Sequence, residues 1–288
     1  MKQQRPTTAA AVSFKKLAFQ GEPGAYAHVA ASRVAPKAQL MNYPTFAAAF
    51  AAAEEGEVDA AVIPIDNSSM GRIADIHALL PASKLHIVAE LHVPIHHHLL
   101  AVKGATLKTV REVYSQLPAL VQCDATLKRM GYKQVPAYDT AGSAKMVAEW
   151  ADPAKAALAS SKAGEIYGLQ TLKSPMNDHP HNTTRFVVLA RKAVVPKPTV
   201  ACKTSILFRT RSIPAALYKA LGGFATNGIN LTKIESYLLE GKFHHAQFYI
   251  EAEGHTASPA MKQALEELNF YASWVRIVGC YASQPDAA

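Results

Sequence analysis

Short apolar runs alternate with alanine-rich amphipathic stretches over the first two thirds of the chain, from Lys16 to about Arg191. The runs are typical of buried β-strands, and they are KLAFQ (16–20), AAVIPI (60–65), TVREVY (109–114), QVPAY (134–138) and AALAS (156–160). Helices are predicted between them at 44–55, 118–130 and 141–150. Alternating strands and helices predict a largely parallel α/β sheet.

Two apolar stretches do not fit this alternation. HIVAELHVPIHHHLLAV (86–102) and TRFVVLAR (184–191) favour antiparallel or irregular structure. We interpret them as crossovers between two lobes.

The pattern changes at KAVVPKPTVACK (192–203), where two prolines and several lysines indicate a linker. The remaining 80 or so residues predict the order strand, helix, strand, strand, helix, strand, with the two helices beginning at Pro214 and Pro259. Proline is tolerated in the first turn of a helix. The order predicts a ferredoxin-like βαββαβ domain with a turn at Glu240-Gly241.

Composition and charge narrow the function classes only partly. The chain has 288 residues, enough for two domains, and a net charge of +8. The basic residues are scattered and form no stripe of the kind that binds nucleic acid. The positive charge is equally consistent with a field that attracts small anions and with an ordinary solvated surface. No apolar run approaches the roughly 18 residues of a membrane span. The N-terminal segment has no apolar core of an export signal, so a cytoplasmic protein is expected.

Cysteines and histidines give no sequence signature of a metal site. Cys123, Cys202 and Cys280 lie far apart and are odd in number, so no metal or disulfide spacing is present and three structural or surface thiols are expected. In the tract 96–98, alternation along a strand would let only His96 and His98 share a ligand, and packing is the favoured interpretation. The pair His244-His245 is expected on a solvated strand.

Polar loops follow the predicted strands where a parallel sheet binds its ligands. They are GEPGAYAH (21–28), DNSSMGR (66–72), SQLPALVQC (115–123), DTAGSA (139–144) and SKAGE (161–165). Helix N-termini and hydroxyl groups that converge at one edge can bind an anion. The same residue types also cap helices, and this alternative stays open. No nucleotide motif is present, so the predicted ligand is a small carboxylate bound between the lobes.

The stretch HPHNTTRFVVLAR (179–191) carries a second candidate feature. Asn182-Thr183-Thr184 fits either a glycosylation sequon or a turn that directs polar groups at a ligand, and the missing export signal disfavours the sequon. Alternation along the strand places Thr184 and Phe186 on one face and Arg185 on the other. Arg185 can therefore clamp a carboxylate or form a structural ion pair.

Several of these stretches recur together, in the same order, in one known family. They are GEPGAYAH (21–28), the segment from Pro44 to Leu80, PIHHHLL (94–100), DTAGSA (139–144), HNTTRFVVLAR (181–191) and KALGGFATNGINLTKIES (219–236). With them the chain resembles, over about residues 16–282, the prephenate dehydratases that carry a C-terminal ACT domain. N-x-T-R-F is the catalytic signature of that family.

The resemblance implies an α/β fold with a two-lobed periplasmic-binding-protein-like (type II) catalytic domain and a ferredoxin-like ACT domain. It implies a catalytic domain at 16–192, with its second lobe at about 103–182, a linker at 193–203 and the ACT domain at 204–282. The implied reaction is the decarboxylating dehydration of prephenate to phenylpyruvate, without metal or organic cofactor. ACT domains of the family pair into dimers and bind L-phenylalanine as an effector, so a homodimer or homotetramer is expected, without nucleic-acid or membrane partners.

The family motif assigns roles to particular residues. The implied catalytic residues are Thr184, Arg185 and Phe186, with Thr184 donating a hydrogen bond to the leaving hydroxyl. Neutral donors suit the carboxylate that must leave as CO2, and the implied substrate-binding residues are Asn67, Ser68, Ser115, Gln116, Thr140, Ser143 and Asn182. The implied effector-binding residues are Leu217, Asn227, Glu235 and Ser236. Arogenate dehydratase activity and a non-catalytic sensor of small carboxylates remain alternatives.

The chain departs from the family pattern at four places. Asp66 replaces the usual glutamate, Ala27 replaces a serine, and in the ACT domain Ala215 replaces a glycine. Tyr237-Leu238 replaces the usual Arg-Pro. The last two changes concern the effector site rather than the catalytic site.

Overall fold

The computed structural model describes residues 13–239 and 242–284. They form two compact units, which we call the N-terminal unit (Ser13–His77 and Leu91–Val187) and the C-terminal unit (Ala78–Glu90 and 188–284). The sequence places the linker at 193–203, whereas Ala78–Glu90 and residues 188–192 belong to the C-terminal unit.

Strands and helices alternate along the first part of the chain. In chain order they are β1 (Lys16–Gln20), α1 (Tyr26–Val34), β2 (Gln39–Tyr43), α2 (Phe46–Glu55), β3 (Ala60–Asn67), β4 (Gly71–Arg72), α3 (Ala74–Leu79), β5 (His86–Pro94), β6 (His98–Ala101), β7 (Glu112–Ser115), α4 (Leu117–Val121), α5 (Asp124–Arg129), β8 (Lys133–Pro136), α6 (Thr140–Trp150), β9 (Lys155–Ala159), α7 (Ser161–Tyr167), β10 (Gln170–Lys173) and β11 (Thr183–Ala190).

Two sheets give the two predicted lobes. The first has the strand order β2-β1-β3-β11-β5, with β4 paired to β3, and the second has the order β10-β6-β9-β7-β8. β1 runs parallel to β2 and β3, and β7 runs parallel to β8 and β9, whereas β6 pairs antiparallel with β9 and β10. The mixed α/β prediction is confirmed, including the antiparallel character of the stretch around β6.

Two predicted elements differ from the structure for local reasons. The predicted helix at 118–130 is two short helices, α4 and α5, because Gln122 and Cys123 interrupt it. The predicted strand at 109–114 begins only at Glu112, because Thr106 and Thr109 close a turn in which Thr106 Oγ1 accepts from the Thr109 amide over 3.2 Å. Threonine hydroxyls compete with sheet formation in this way.

The C-terminal unit contains the predicted βαββαβ order. Its elements are β12 (Cys202–Thr210), α8 (Ala216–Thr226), β13 (Leu231–Leu239), β14 (Lys242–Glu253), α9 (Pro259–Tyr271) and β15 (Ala272–Ala282), and the sheet order is β13-β14-β12-β15. Buried side chains of α8 and α9, among them Phe224 and Met261, pack with Ile206, Phe208 and Ile250 of the sheet. The predicted turn at 240–241 and the side chains of His244 and His245 lie outside the described residues.

None of the helices in residues 13–239 and 242–284 combines the length and the apolar character that crossing a membrane requires.

Candidate active site

A cavity of about 460 Å³ lies in the N-terminal unit where strand ends of the two sheets meet. Residues 21–27 after β1, Asn67 at the end of β3, and Thr140 at the start of α6 contribute to its wall. The first loop is held to the second lobe, because Gly24 (φ 97°) approaches Ala163 so closely that a side chain would meet its Cα at 2.6 Å. The cavity is therefore built from the strand-end loops that the sequence predicts.

Asn67 and Thr184 form the contact at the centre of this wall. The Asn67 side-chain oxygen accepts from the backbone amides of Ser69 and Met70, each over 2.9 Å. Backbone amides can only donate, so this contact fixes the orientation of the Asn67 amide. Its nitrogen then donates to Thr184 Oγ1 over 2.9 Å and to Asn182 Oδ1 over 2.8 Å.

The direction of this hydrogen bond determines what Thr184 can do. Thr184 is 8% exposed and lines the cavity. Because its oxygen accepts from Asn67, its own proton is directed elsewhere, and a hydroxyl has a single proton to donate. Thr184 is thus arranged as a hydrogen-bond donor toward a ligand in the cavity.

The same reasoning fixes the next members of the network. Asn182 Nδ2 donates to Gln122 Oε1 over 3.0 Å. Gln122 Oε1 can only accept, so His97 Nε2, at 2.9 Å, carries a proton. His97 Nδ1 then has the lone pair, and Tyr26 Oη lies 3.2 Å from it and 2.8 Å from the His96 carbonyl.

His97 is neutral in this network. Burial lowers its pKa to about 4, although the bond to Gln122 acts in the opposite direction. Burial raises the pKa of Tyr26 well above its usual value, so its hydroxyl also stays protonated. One continuous chain of neutral groups therefore leads from Tyr26 to Thr184.

Arg185 forms an ion pair with Asp66. Its Nη2 lies 2.6 Å and its Nε 3.2 Å from Asp66 Oδ2, and the Arg185 side chain is 10% exposed. Thr184 and Phe186 line the cavity and Arg185 does not, as strand alternation predicts. Of the two alternatives for Arg185, the structure contains the ion pair.

The other predicted donors divide into two groups. Gln116 and Thr140 line the cavity. Three serines instead bond to the backbone: Ser68 Oγ accepts from the Thr183 amide at 2.9 Å, and Ser115 and Ser143 donate to the carbonyls of Leu158 and Asp139, each over 2.7 Å. The contacts of these serines therefore fit the alternative in which such residues stabilise the local backbone and do not bind a ligand.

Sequence reasoning missed Gln122, His97, Tyr26 and Arg72, all of which line the cavity. Gln122 lies in the predicted loop 115–123, but it caps the C-terminus of α4 and does not directly follow β7, so its position in the loop does not single it out. The sequence predicts a strand through His96–His98 and does not select His97, but residues 95–97 lie between β5 and β6, and His97 is 2% exposed. His97 is thus part of the cavity wall, with Nε2 2.9 Å from Gln122 Oε1.

One group of three possible metal ligands occurs among the described residues, and it is not at the cavity. Cys202, His255 and Cys280 are buried in the C-terminal unit. The three cysteines are buried free thiols, and neighbouring antiparallel strands bring Cys202 and Cys280 together although they lie far apart in the sequence.

A second cavity, of about 580 Å³, lies in the C-terminal unit and is lined by residues 210–218 and Ala246. Of the four predicted effector residues, Leu217 lines it. Asn227 Nδ2 donates to the Gly223 carbonyl over 2.7 Å, Glu235 pairs with Lys233 over 3.1 Å, and Ser236 is exposed on β13.

Known proteins are similar to this chain in both sequence and fold. The family model for prephenate dehydratase matches residues 17–194. A bifunctional N-acyl-homoserine lactone acylase/prephenate dehydratase of Komagataeibacter europaeus is 41% identical over 270 residues, which cover 93% of this chain and 96% of that protein. Arogenate dehydratase/prephenate dehydratase 1 of Arabidopsis thaliana is 39% identical, covering 92% of this chain and 71% of the relative.

A solved structure extends the likeness to three dimensions. Prephenate dehydratase from Arthrobacter aurescens in complex with L-Phe superposes with a TM-score of 0.86 at 30% identity, covering 94% of this chain and 92% of that one. The chain therefore belongs to the prephenate dehydratase family of lyases.

Proposed function

We propose that this chain converts prephenate to phenylpyruvate, with Thr184 as the hydrogen-bond donor to the departing hydroxyl. The observation that carries the proposal is the contact from Asn67 Nδ2 to Thr184 Oγ1, which leaves the Thr184 proton for a ligand. The family membership supplies the reaction class.

The reaction requires that the two leaving groups of the substrate are aligned and that the departing hydroxide receives a proton. The bond from the ring to its carboxylate breaks and its electrons enter the ring, the bond from the ring to the hydroxyl breaks, and the hydroxide takes a proton to leave as water. Aromatisation supplies the driving force. A donor held at the hydroxyl oxygen stabilises the charge that develops there.

Threonine is a weak acid, so the network around it matters. As Thr184 donates, negative charge grows on its oxygen, and the Asn67 amide stabilises that charge through the same hydrogen bond. Asn67 cannot turn, because Ser69 and Met70 hold its oxygen. Preorganised donors of this type need no rearrangement during the reaction.

The substrate is a dianion, and Arg72 is the residue that suits one of its carboxylates. Among the described residues that line the cavity, Arg72 is the one arginine or lysine. Arg185 does not line the cavity and pairs with Asp66 over 2.6 Å. We assign Arg72 to the pyruvyl carboxylate and the neutral side chains of Gln116 and Thr140 to the ring carboxylate, which must not be held too tightly if CO2 is to leave.

The proposal is tested by adding prephenate and following phenylpyruvate through its absorbance in alkali. Turnover with the purified, folded protein is expected. Prephenate binding without turnover would instead favour a non-catalytic sensor.

Two further compounds are candidate substrates for the same cavity. Arogenate, in which an amino group replaces the keto group, is favoured by the name of the Arabidopsis relative, and an N-acyl-homoserine lactone by the name of the Komagataeibacter relative. Turnover of prephenate, arogenate and acyl-homoserine lactones by wild type and by Thr184→Ala distinguishes the three. An acylase activity that survives Thr184→Ala would belong to other residues.

We also propose that the C-terminal unit is an ACT domain that binds L-phenylalanine in a homodimer or homotetramer. Its βαββαβ order and the cavity beside Leu217 support this, as does the L-Phe complex of the Arthrobacter relative. Calorimetry with L-phenylalanine and sedimentation with and without it test the proposal. Absence of heat and of any change in association state would contradict it.

A further inference from the structure

Cys202, His255 and Cys280 converge inside the C-terminal unit although they come from three separate segments. Cys202 begins β12, His255 follows β14, and Cys280 lies in β15. Their side chains are 5%, 6% and 3% exposed, and one potential ligand atom from each lies within 4.8 Å of the others.

The sheet and one turn hold the three residues in place. Cys202 pairs with Ala282 and Thr204 with Cys280, so the thiols are diagonal neighbours on one face of antiparallel strands. The turn with His255 is tied to β12, because the Gly254 amide donates to the Cys202 carbonyl over 2.8 Å and Thr204 Oγ1 donates to the Gly254 carbonyl over 2.8 Å.

His255 has the tautomer and the outer hydrogen bond that are common in metal-ligating histidines. The carbonyl of Pro196, 2.9 Å from Nε2, can only accept, so Nε2 carries the proton. Donation of one ring N–H to a backbone carbonyl orients most histidine ligands. Nδ1 keeps the lone pair, which here accepts from the Ala257 amide over 2.9 Å, a contact that a metal ion would replace.

Nothing in the proposed reaction uses these residues. They belong to the C-terminal unit, whereas Thr184 and its partners belong to the N-terminal unit.

We propose that Cys202, His255 and Cys280 bind one Zn²⁺ ion. Two cysteine sulfurs and one imidazole nitrogen are ligands that zinc prefers, with a water molecule as a fourth. Two thiolates neutralise the ion, which a buried site requires. Tetrahedral zinc spaces such ligands by roughly 3.5–3.8 Å. The three ligand atoms already lie within 4.8 Å of one another, so binding needs a contraction of at most about 1 Å and joins β12, the turn after β14 and β15.

The test uses the full chain after treatment with a chelator. Zn²⁺ is titrated in competition with a chromogenic indicator, and Co²⁺ is used as a spectroscopic substitute whose thiolate charge-transfer band reports cysteine ligation. One tight Zn²⁺ per chain and a cobalt–thiolate band are expected, with a rise in melting temperature on zinc addition.

Cys202→Ser, Cys280→Ser and His255→Asn are expected to weaken binding at least tenfold. Cys123→Ser is the matched control, because Cys123 is equally buried but lies in the N-terminal unit. Wild-type protein that binds no zinc at micromolar concentration, or that binds only Cu⁺, would overturn the proposal whatever the folding of the variants. So would zinc binding that survives both cysteine substitutions.

Discussion

The side-chain amide of Asn67 donates to the hydroxyl oxygen of Thr184 over 2.9 Å, and the amide is itself held by two backbone N–H groups. The direction of every bond from Ser69 to His97 follows from those two amides. The mechanism depends on that direction, because it leaves the Thr184 proton pointing to the substrate.

Asn67→Asp keeps the size of the side chain and removes the donor of two hydrogen bonds, to Thr184 and to Asn182. A carboxylate accepts and cannot donate, so Thr184 would turn its proton toward residue 67 and away from the substrate. We expect kcat for prephenate to fall about 10²- to 10³-fold, within the range of a lost proton donor. Steady-state kinetics measure this, and a kcat within threefold of wild type would exclude this role for Asn67.

Arg72→Gln removes the cation assigned to the pyruvyl carboxylate. The loss of a charge-assisted hydrogen bond predicts that KM for prephenate rises about 10- to 100-fold with a smaller change in kcat. Arg33→Gln, which changes an exposed arginine of α1, is the matched control for net charge. Equal effects of the two substitutions would mean that general electrostatic attraction, and not Arg72, binds the substrate.

Arg185→Met is expected to affect stability rather than binding. It leaves Asp66, whose side chain is 21% exposed, without its 2.6 Å partner, and breaking such a pair costs about 3 kcal/mol. Denaturant unfolding measures the loss. Lys162→Met breaks an exposed pair with Glu165 and should cost at most about 1 kcal/mol. If Arg185→Met were as stable as the wild type but had a strongly raised KM, Arg185 would instead bind a substrate carboxylate.

The lowered pKa of His97 predicts that the free energy of unfolding falls in weak acid. Its pKa is about 4 in the folded protein and 6.5 by reference, so the unfolded chain binds the extra proton first. Stability should fall as the pH drops from 6.5 to 4, by about 3 kcal/mol for this residue. Burial lowers the pKa of His28, His86 and His98 as well, which adds to the trend. Unfolding midpoints measured across this range should change less in His97→Gln, and parallel curves would contradict the assignment.

The sequence predicts side-chain positions correctly where a single strand or helix determines them. Thr184 and Phe186 face the cavity and Arg185 faces Asp66 because side chains alternate along β11. Gln122, His97 and the Cys202–Cys280 pair could not be found in this way, because only tertiary folding brings distant segments together. The serines show the converse: Ser68, Ser115 and Ser143 have the expected chemistry, but nearby backbone groups engage their hydroxyls.

Thr184 is tested most directly by the turnover of prephenate by Thr184→Ala and Thr184→Ser. Alanine removes the donor, so kcat should fall about 10²- to 10⁴-fold with little change in substrate affinity, whereas serine keeps the hydroxyl and should retain much of the activity. A Thr184→Ala enzyme that loses only a few-fold in kcat would show that Thr184 does not donate to the departing hydroxyl.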